Sequence, residues 1–213
     1  MAGFFLTIEG VDGSGKSTQT ERLARSLRET GREVVETREP GGTQGSAAIR
    51  DLVLTGDPGR WSPTTEMLLF FAARRDNLEK TIRPALARDA IVICDRWTDS
   101  TRAFQAGARP DVDGVTRAQI DRLHDEVIGL DPDLTLIFDM DPSEALNRGL
   151  ARQTEEERFE RLGGEFQQIM RQTYRQIAEA EPGRCRIIDA AGDVATVAER
   201  VLCVVQPEID RKC

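Results

Sequence analysis

Eight residues near the start of the chain, Gly10-Val11-Asp12-Gly13-Ser14-Gly15-Lys16-Ser17, constrain its fold more than any other feature. They fit the spacing G-x-x-x-x-G-K-[ST] and lie between an apolar run, Phe4 to Glu9, and a helical pattern starting near residue 16. That strand-then-helix setting is the one such a loop requires. The glycines let the backbone wrap closely around phosphate oxygens, and successive amides point inward to form an anion nest at a positive helix end. Lys16 brings a compact charge to terminal phosphates, and the Ser17 hydroxyl is placed to hold Mg²⁺. The segment Gly10 to Thr18 therefore reads as a site for a nucleoside triphosphate, as against a glycine turn that merely joins strand to helix.

The rest of the chain continues the same alternation. Candidate strands are Phe4–Glu9, Val34–Arg38, Ala90–Asp95, Leu134–Asp139 and Arg186–Asp189. Several are nearly continuous apolar runs, as expected for strands covered on both faces of a parallel sheet. Helical patterns fall near 16–30, 45–55, 64–88, 116–129, 143–152, 165–181 and 193–205. Five strands with helical crossovers predict a three-layer α/β domain. In such a sheet ligands gather beyond the carboxyl ends of the strands. The charged residues Glu9, Arg38-Glu39, Asp95-Arg96 and Asp139 stand at those ends. A length of 213 residues suits one domain over 1–213 with an inserted lid. The acidic, arginine-dotted stretch at about 148–164 is the candidate flap, and about 206–213 reads as a polar C-terminal tail.

Composition excludes other roles. The formal net charge of -8 argues against general affinity for nucleic acid or anionic membranes. Only Lys16, Lys80 and Lys212 are lysines among 29 basic residues, so the lysine in the loop is a specific choice. Cys94, Cys185, Cys203 and Cys213 show no CxxC spacing, which points to a reducing cytoplasm rather than a disulfide framework or metal site. Cys94 and Cys203 read as small buried hydrophobes. No stretch approaches the roughly 20 apolar residues of a membrane span. The single histidine, His124, lies in a charged helical stretch and reads as a surface residue.

The loop alone leaves the reaction open. A GTPase would need a guanine-reading N-K-x-D, which does not occur. Asp95-Arg96-Trp97 after the third strand and arginines in a later flap suit transfer of phosphate to a second phosphorylated molecule, because two anionic groups must be neutralised side by side. Several segments then narrow the choice: I-E-G-V-D-G-S-G-K-S-T at 8–18, T-R-E-P-G-G-T at 37–43, L-L-F-F-A-A-R at 68–74, D-R at 95–96, S-T-R-A-F-Q at 100–105 and P-D-L-T-L at 132–136. In these the chain resembles bacterial thymidylate kinases over nearly its whole length, the last eight residues excluded.

The resemblance implies an α/β fold of the three-layer αβα P-loop NTPase kind: a five-stranded parallel sheet flanked by helices, with a small helical lid. It implies transfer of the ATP γ-phosphate to thymidine monophosphate with Mg²⁺, a cytoplasmic homodimer, and no nucleic-acid or membrane partner. It gives Arg38 the acceptor's phosphate, Phe70 and Arg74 a stacking and a base contact, and Gln105 the imide edge of thymine with Ser100 and Thr101 nearby. Taken by their chemistry, Phe70 and Arg74 share a helix face, and Gln105 carries both donor and acceptor. Viewed alone, Phe70 would sooner be core; Phe71, Leu78 and Ile82 form another, core stripe. Asp12 meets the acceptor's sugar hydroxyl in the family, or else is a turn aspartate facing solvent. Arg96 is suited to clamp donor and acceptor phosphates and Asp95 to orient Mg²⁺ or its waters; the alternative is a structural ion pair. Arg102 receives no role.

Some relatives carry a catalytic arginine inside the loop where this chain has Gly13. The flap arginines Arg148, Arg152, Arg158 and Arg161 are then the expected source of that charge, with Arg152 and Arg158 preferred. Glu155-Glu156-Glu157 between them is expected to face water. A kinase for another nucleotide or deoxynucleoside, or a regulatory module that binds nucleotide without transfer, are the rival readings.

Overall fold

Strand β1 (Phe4–Gly10) is buried at all seven positions, and the rest of the domain is arranged around it. The computed structural model of the chain describes residues 3–57, 59–107, 115–145 and 163–212. Among them five parallel strands make one sheet in the order β2-β3-β1-β4-β5. Here β2 is Val34–Arg38, β3 is Ile91–Asp95, β4 is Leu134–Asp139 and β5 is Cys185–Asp189. All five expected strands form, with ends within one residue of those read from the sequence. The central strands have few exposed positions, whereas β2 and β5 at the edges alternate buried with open ones. That is the pattern of a sheet covered on both faces and open only at its sides.

Alternate residues of β1 feed two cores, as the strand period of two requires. Phe4, Leu6 and Ile8 join Leu23, Leu27, Leu136, Tyr174 and Val201 on one face. Phe5 joins Phe71, Leu78, Val92, Cys94 and Trp97 on the other, with its ring edge-on to Trp97 at 5.1 Å. Each such side chain contributes about 1.5–3 kcal/mol on burial, and Ile8→Ala would cost about 2–5 kcal/mol.

Helix α1 (Lys16–Glu29) starts directly from the loop, with no side chain capping its first amides. Those amides stay available to a ligand. Helix α2 (Gln44–Leu54) is capped by Thr43 and α3 (Pro63–Asn77) by Ser62. The single helix expected at 64–88 is α3, a wider turn at Leu78–Ile82 and α4 (Arg83–Ala87) in succession. The pattern at 116–129 is α6 (Arg117–Leu123), opened by a capping box from Thr116 and Gln119, and another wide turn to Ile128.

Four expectations change. Residues 98–107, to which the sequence reading gave no element, form α5 (Thr98–Thr101) and a wide turn, Arg102–Gly107. Their stability comes from buried ion pairs, Asp99 with Arg102 at 2.8 Å and with Arg184 at 2.6 Å, so no apolar period marks them. The polar tail is not a tail: after α7 (Gly163–Ala180), the last helix α8 runs Val194–Lys212. Val197, Val201, Val205 and Ile209, four apart, are its buried stripe. On that helix Cys203 is exposed rather than buried, whereas Cys94 is buried as expected. His124 is buried rather than at the surface, with Nδ1 2.9 Å from Thr98 Oγ1.

The flap expected at 148–164 lies outside the described residues except for the two glycines that open α7. Among the described residues no helix is long and apolar enough to cross a membrane.

Candidate active site

Strand register brings the ends of β1, β2 and β3 together. Arg38 pairs with Asp95, and Ile8 with Asp95 on the other side. Two cavities open beyond these ends. One is lined by Phe70, Arg74, Trp97, Ser100, Thr101, Phe104 and Gln105. The other is lined by Gly13, Gly15, Lys16, Ser17, Arg38 and Asp95. Asp12, Glu39, Arg50 and Arg96 line both.

In the loop, Lys16 Nζ donates to the carbonyls of Gly10 at 3.1 Å and Val11 at 2.9 Å, and lies 3.8 Å from Asp12. Burial and the nearby Arg96 charge lower its pKa to about 8, against the pull of Asp12. Ser14 Oγ is buried without a partner. Gly13 has φ of 84°, and a Cβ there would sit 2.0 Å from the Ala145 carbonyl oxygen. The turn at 142–145 therefore closes over the position a side chain at residue 13 would occupy.

Ser17 Oγ donates to Asp95 Oδ2 at 2.9 Å, and Asp95 Oδ1 is buried without a partner. A hydroxyl and a carboxylate side by side are hard oxygen donors of the kind Mg²⁺ takes, alongside waters and phosphate oxygens. Among the described residues no group of three or more His, Cys, Asp or Glu could hold a metal. A cation here would thus depend on the nucleotide for its remaining ligands.

Arg96 has φ of 75° and is turned inward. Its Nη2 meets Asp12 Oδ1 at 2.5 Å; its Nη1 donates to Gly10 O at 3.2 Å, Ser100 Oγ at 3.0 Å and Tyr174 OH at 3.2 Å. Burial alone would lower its pKa, but Asp12, Tyr174, Asp95 and Glu9 raise it above the usual arginine value. Asp12 is held below the usual carboxylate range despite burial, by Arg96 first and Lys16 second.

The other cavity is built on α3. Arg74 lies between the rings of Phe71 at 5.0 Å and Trp97 at 5.3 Å. Its Nε donates to Glu39 Oε2 at 2.6 Å and its Nη2 to Thr101 Oγ1 at 3.1 Å. Burial pushes Glu39 up to about 7, against the Arg74 charge. Arg74 Nη1, a donor, and Gln105 Oε1, an acceptor, are buried without partners beside this cavity. Orphaned buried polar atoms cost about 1–3 kcal/mol each, a penalty that a flat ligand with complementary edges would relieve. Phe70 is only partly buried and faces the same space, while Phe71, Leu78 and Ile82 are core. Gly42 packs tightly between β2 and α3: a Cβ there would lie 2.2 Å from Thr37 Oγ1 and 2.3 Å from Asn77 Oδ1.

Most residues expected from the sequence thus converge. Arg38 lines the loop cavity rather than the one beside Phe70. Arg102 turns away to bridge Asp99 and Asp121. Arg152 and Arg158 lie outside the described residues. Three further residues were not legible. Arg50 of α2 reaches both cavities and donates to Pro40 O at 2.7 Å, yet in sequence it is one more helical arginine. Glu9 and Tyr174 lie behind Arg96. Only the presence of a charge at the end of an apolar strand hinted at Glu9, and only its being the sole tyrosine marked Tyr174.

A family model described as thymidylate kinase matches residues 8–201. A thymidylate kinase of Jannaschia sp. (strain CCS1) is 52% identical over 205 residues, covering 96% of this chain and 97% of the relative. One of Ruegeria pomeroyi is 53% identical over 209 residues, covering 98% and 97%. The crystal structure of a thymidylate kinase from Ehrlichia chaffeensis superposes with a TM-score of 0.75 at 36% identity, over 97% of this chain and 99% of that one.

Proposed function

The chain belongs to the thymidylate kinase family, and on that premise we propose how its two cavities divide the reaction. The enzyme is an ATP-dependent kinase that phosphorylates thymidine monophosphate. The observation that carries the division is the wall of Asp12, Glu39, Arg50 and Arg96 common to both cavities. A donor held by the loop and an acceptor held beside Phe70 would bring their phosphates to this one wall.

On the donor side, the amides and side chains from Gly10 to Thr18 hold the ATP phosphates, and Lys16 moves from the Gly10 and Val11 carbonyls to them. Ser17 and Asp95 would hold Mg²⁺, which when bound neutralises the β- and γ-phosphate oxygens. On the acceptor side, thymine stacks on Phe70 while Arg74 Nη1 donates to a ring carbonyl. Gln105 meets the imide edge, with Ser100 and Thr101 beside it. Asp12 accepts from the sugar hydroxyl, and Arg38, Arg50 and Arg96 draw in the phosphate. Transfer then needs little covalent help: an acceptor phosphate oxygen bonds to the γ-phosphorus as the bond to the bridging oxygen breaks and ADP leaves. Proximity and neutralised charge supply the acceleration.

Because Gly13 offers no charge, we assign the remaining neutralisation to Arg152 and Arg158 of a lid at about 148–164 in a single domain. Closure of that lid would exclude water and prevent hydrolysis of ATP. Assembly as a homodimer and a cytoplasmic location rest on the family reading. A coupled assay over nucleoside monophosphates tests the proposal: thymidine monophosphate should give the highest kcat/KM. Equal turnover of the cytidine or guanosine forms would refute it.

A further inference from the structure

Glu9 is fully buried at the end of the central strand, next to the site but lining neither cavity. Four donors converge on its carboxylate. Oε1 accepts from the backbone amides of Trp97 at 2.7 Å and Ser100 at 3.2 Å. Oε2 accepts from Ser100 Oγ at 2.6 Å and Tyr174 OH at 3.1 Å. The same two hydroxyls lie 3.0 and 3.2 Å from Arg96 Nη1. Because each hydroxyl gives its only proton to Glu9, its lone pairs are left to face the guanidinium. With Glu9 ionised, the polarity runs one way, from Arg96 N–H to hydroxyl oxygen and from hydroxyl proton to carboxylate. Burial first and the Asp99 charge second raise the Glu9 pKa to about 7, so the arrangement is fully in place above that pH.

Oε1 does a second job. By holding the amides of Trp97 and Ser100 it caps α5 from another strand, where no side chain of the helix itself does so. That fixes the turn in which Arg96 adopts its positive φ. Backbone and side chain of Arg96 are therefore both set from Glu9.

We propose that Glu9 is a positioning residue for phosphate transfer, acting through Ser100 and Tyr174 to hold the Arg96 guanidinium at the wall between the two cavities. This rests on the reading that Arg96 touches the transferring phosphates. A buried carboxylate is expensive relative to an apolar residue of similar volume; here it supplies an acceptor that no neutral side chain supplies in both directions. A glutamine would keep an oxygen for the amides but turn its NH₂ toward the hydroxyls. Their protons would then be driven toward Arg96, donor against donor. Burial and the Glu9 charge keep the Tyr174 phenol well above its ordinary pKa, so it remains a donor.

The test is a double-mutant cycle on the full-length enzyme with ATP, Mg²⁺ and thymidine monophosphate. Glu9→Gln alone should lower kcat by about tenfold or more, and Tyr174→Phe, which deletes only one hydroxyl, by a few-fold, about three. In an Arg96→Lys background both effects should shrink below about twofold, because the group they position is gone. Additive losses, or full activity of Glu9→Gln, would overturn the proposal. Should Glu9→Gln fail to fold, the Tyr174→Phe and Arg96→Lys pair decides alone by the same criterion. Undiminished turnover of Arg96→Ala is a separate outcome: it overturns the role of Arg96 itself, and the positioning role with it.

Discussion

Asp12 Oδ1 and Arg96 Nη2 meet at 2.5 Å and tie the phosphate loop to the residue that follows β3. The two come from segments 84 residues apart, and both residues line both cavities. An acid inside an anion-binding loop is unfavourable on its own. Paired with Arg96 it lines both cavities, and in the proposed reading it orients the acceptor's sugar. Asp12→Asn keeps the shape and removes the charge. The expected result in steady-state kinetics is a fall of about tenfold in kcat/KM for thymidine monophosphate, with the KM for ATP changed by less than about twofold. An equal rise in both KM values would assign Asp12 to the donor side.

The buried pair of Arg74 and Glu39 separates stability from binding. Arg74→Met leaves the Glu39 carboxylate buried and unpaired, and should cost about 3–5 kcal/mol in denaturant unfolding. Adding Glu39→Leu removes that charge and should recover much of the stability. Activity should not return with it if Arg74 Nη1 donates to the base as proposed. Recovery of both together would make Arg74 a structural residue only.

Lys16 makes nucleotide binding a proton-linked event. Its pKa of about 8 in the free protein reflects burial and the Arg96 charge. Phosphates favour the ammonium, so binding raises that value. At pH 8.5 a sizeable fraction of free enzyme must therefore take up a proton at Lys16 as ATP binds, and at pH 6.5 almost none does so at that residue. Affinity for ATP should accordingly weaken as pH rises above about 8. Calorimetric titrations in buffers of different ionisation enthalpy read the uptake directly. The same proton count at both pH values would contradict the account.

In the proposed mechanism Gly13 leaves no room in the loop for the charge assigned to the lid. With its Cβ position closed by the Ala145 carbonyl, an arginine cannot be returned to the loop without displacing the turn at 142–145. Arg152→Ala and Arg158→Ala should together lower kcat by about 100-fold or more. Adding Gly13→Arg should not rescue that loss. Unchanged turnover of the arginine variants, or rescue by Gly13→Arg, would remove the lid from the mechanism.

What the sequence displayed and what it concealed follow from how local each signal is. The strands were readable because a central parallel strand such as Phe4–Gly10 must be apolar on both faces. The loop was readable because its work is done by backbone, so the glycines themselves are the signal. Phe70, Arg74, Asp95, Arg96 and Gln105 came from motif resemblance rather than from periodicity. Residues 98–107 were missed because ion pairs, not an apolar stripe, hold them. The end of α8 was missed because polar residues surround the single stripe position Ile209. Glu9 and Tyr174 are 165 residues apart, and their hydrogen bond, with the contact it carries on to Arg96, exists only once the chain has folded.

A structure with bound thymidine monophosphate is the most direct test of the two-cavity account. The account predicts the thymine ring stacked on Phe70, its edge within hydrogen-bond distance of Arg74 Nη1 and Gln105, and its phosphate directed to the wall of Arg50 and Arg96. A nucleotide whose base lay outside the Phe70 cavity, or whose phosphate pointed away from the loop, would contradict it.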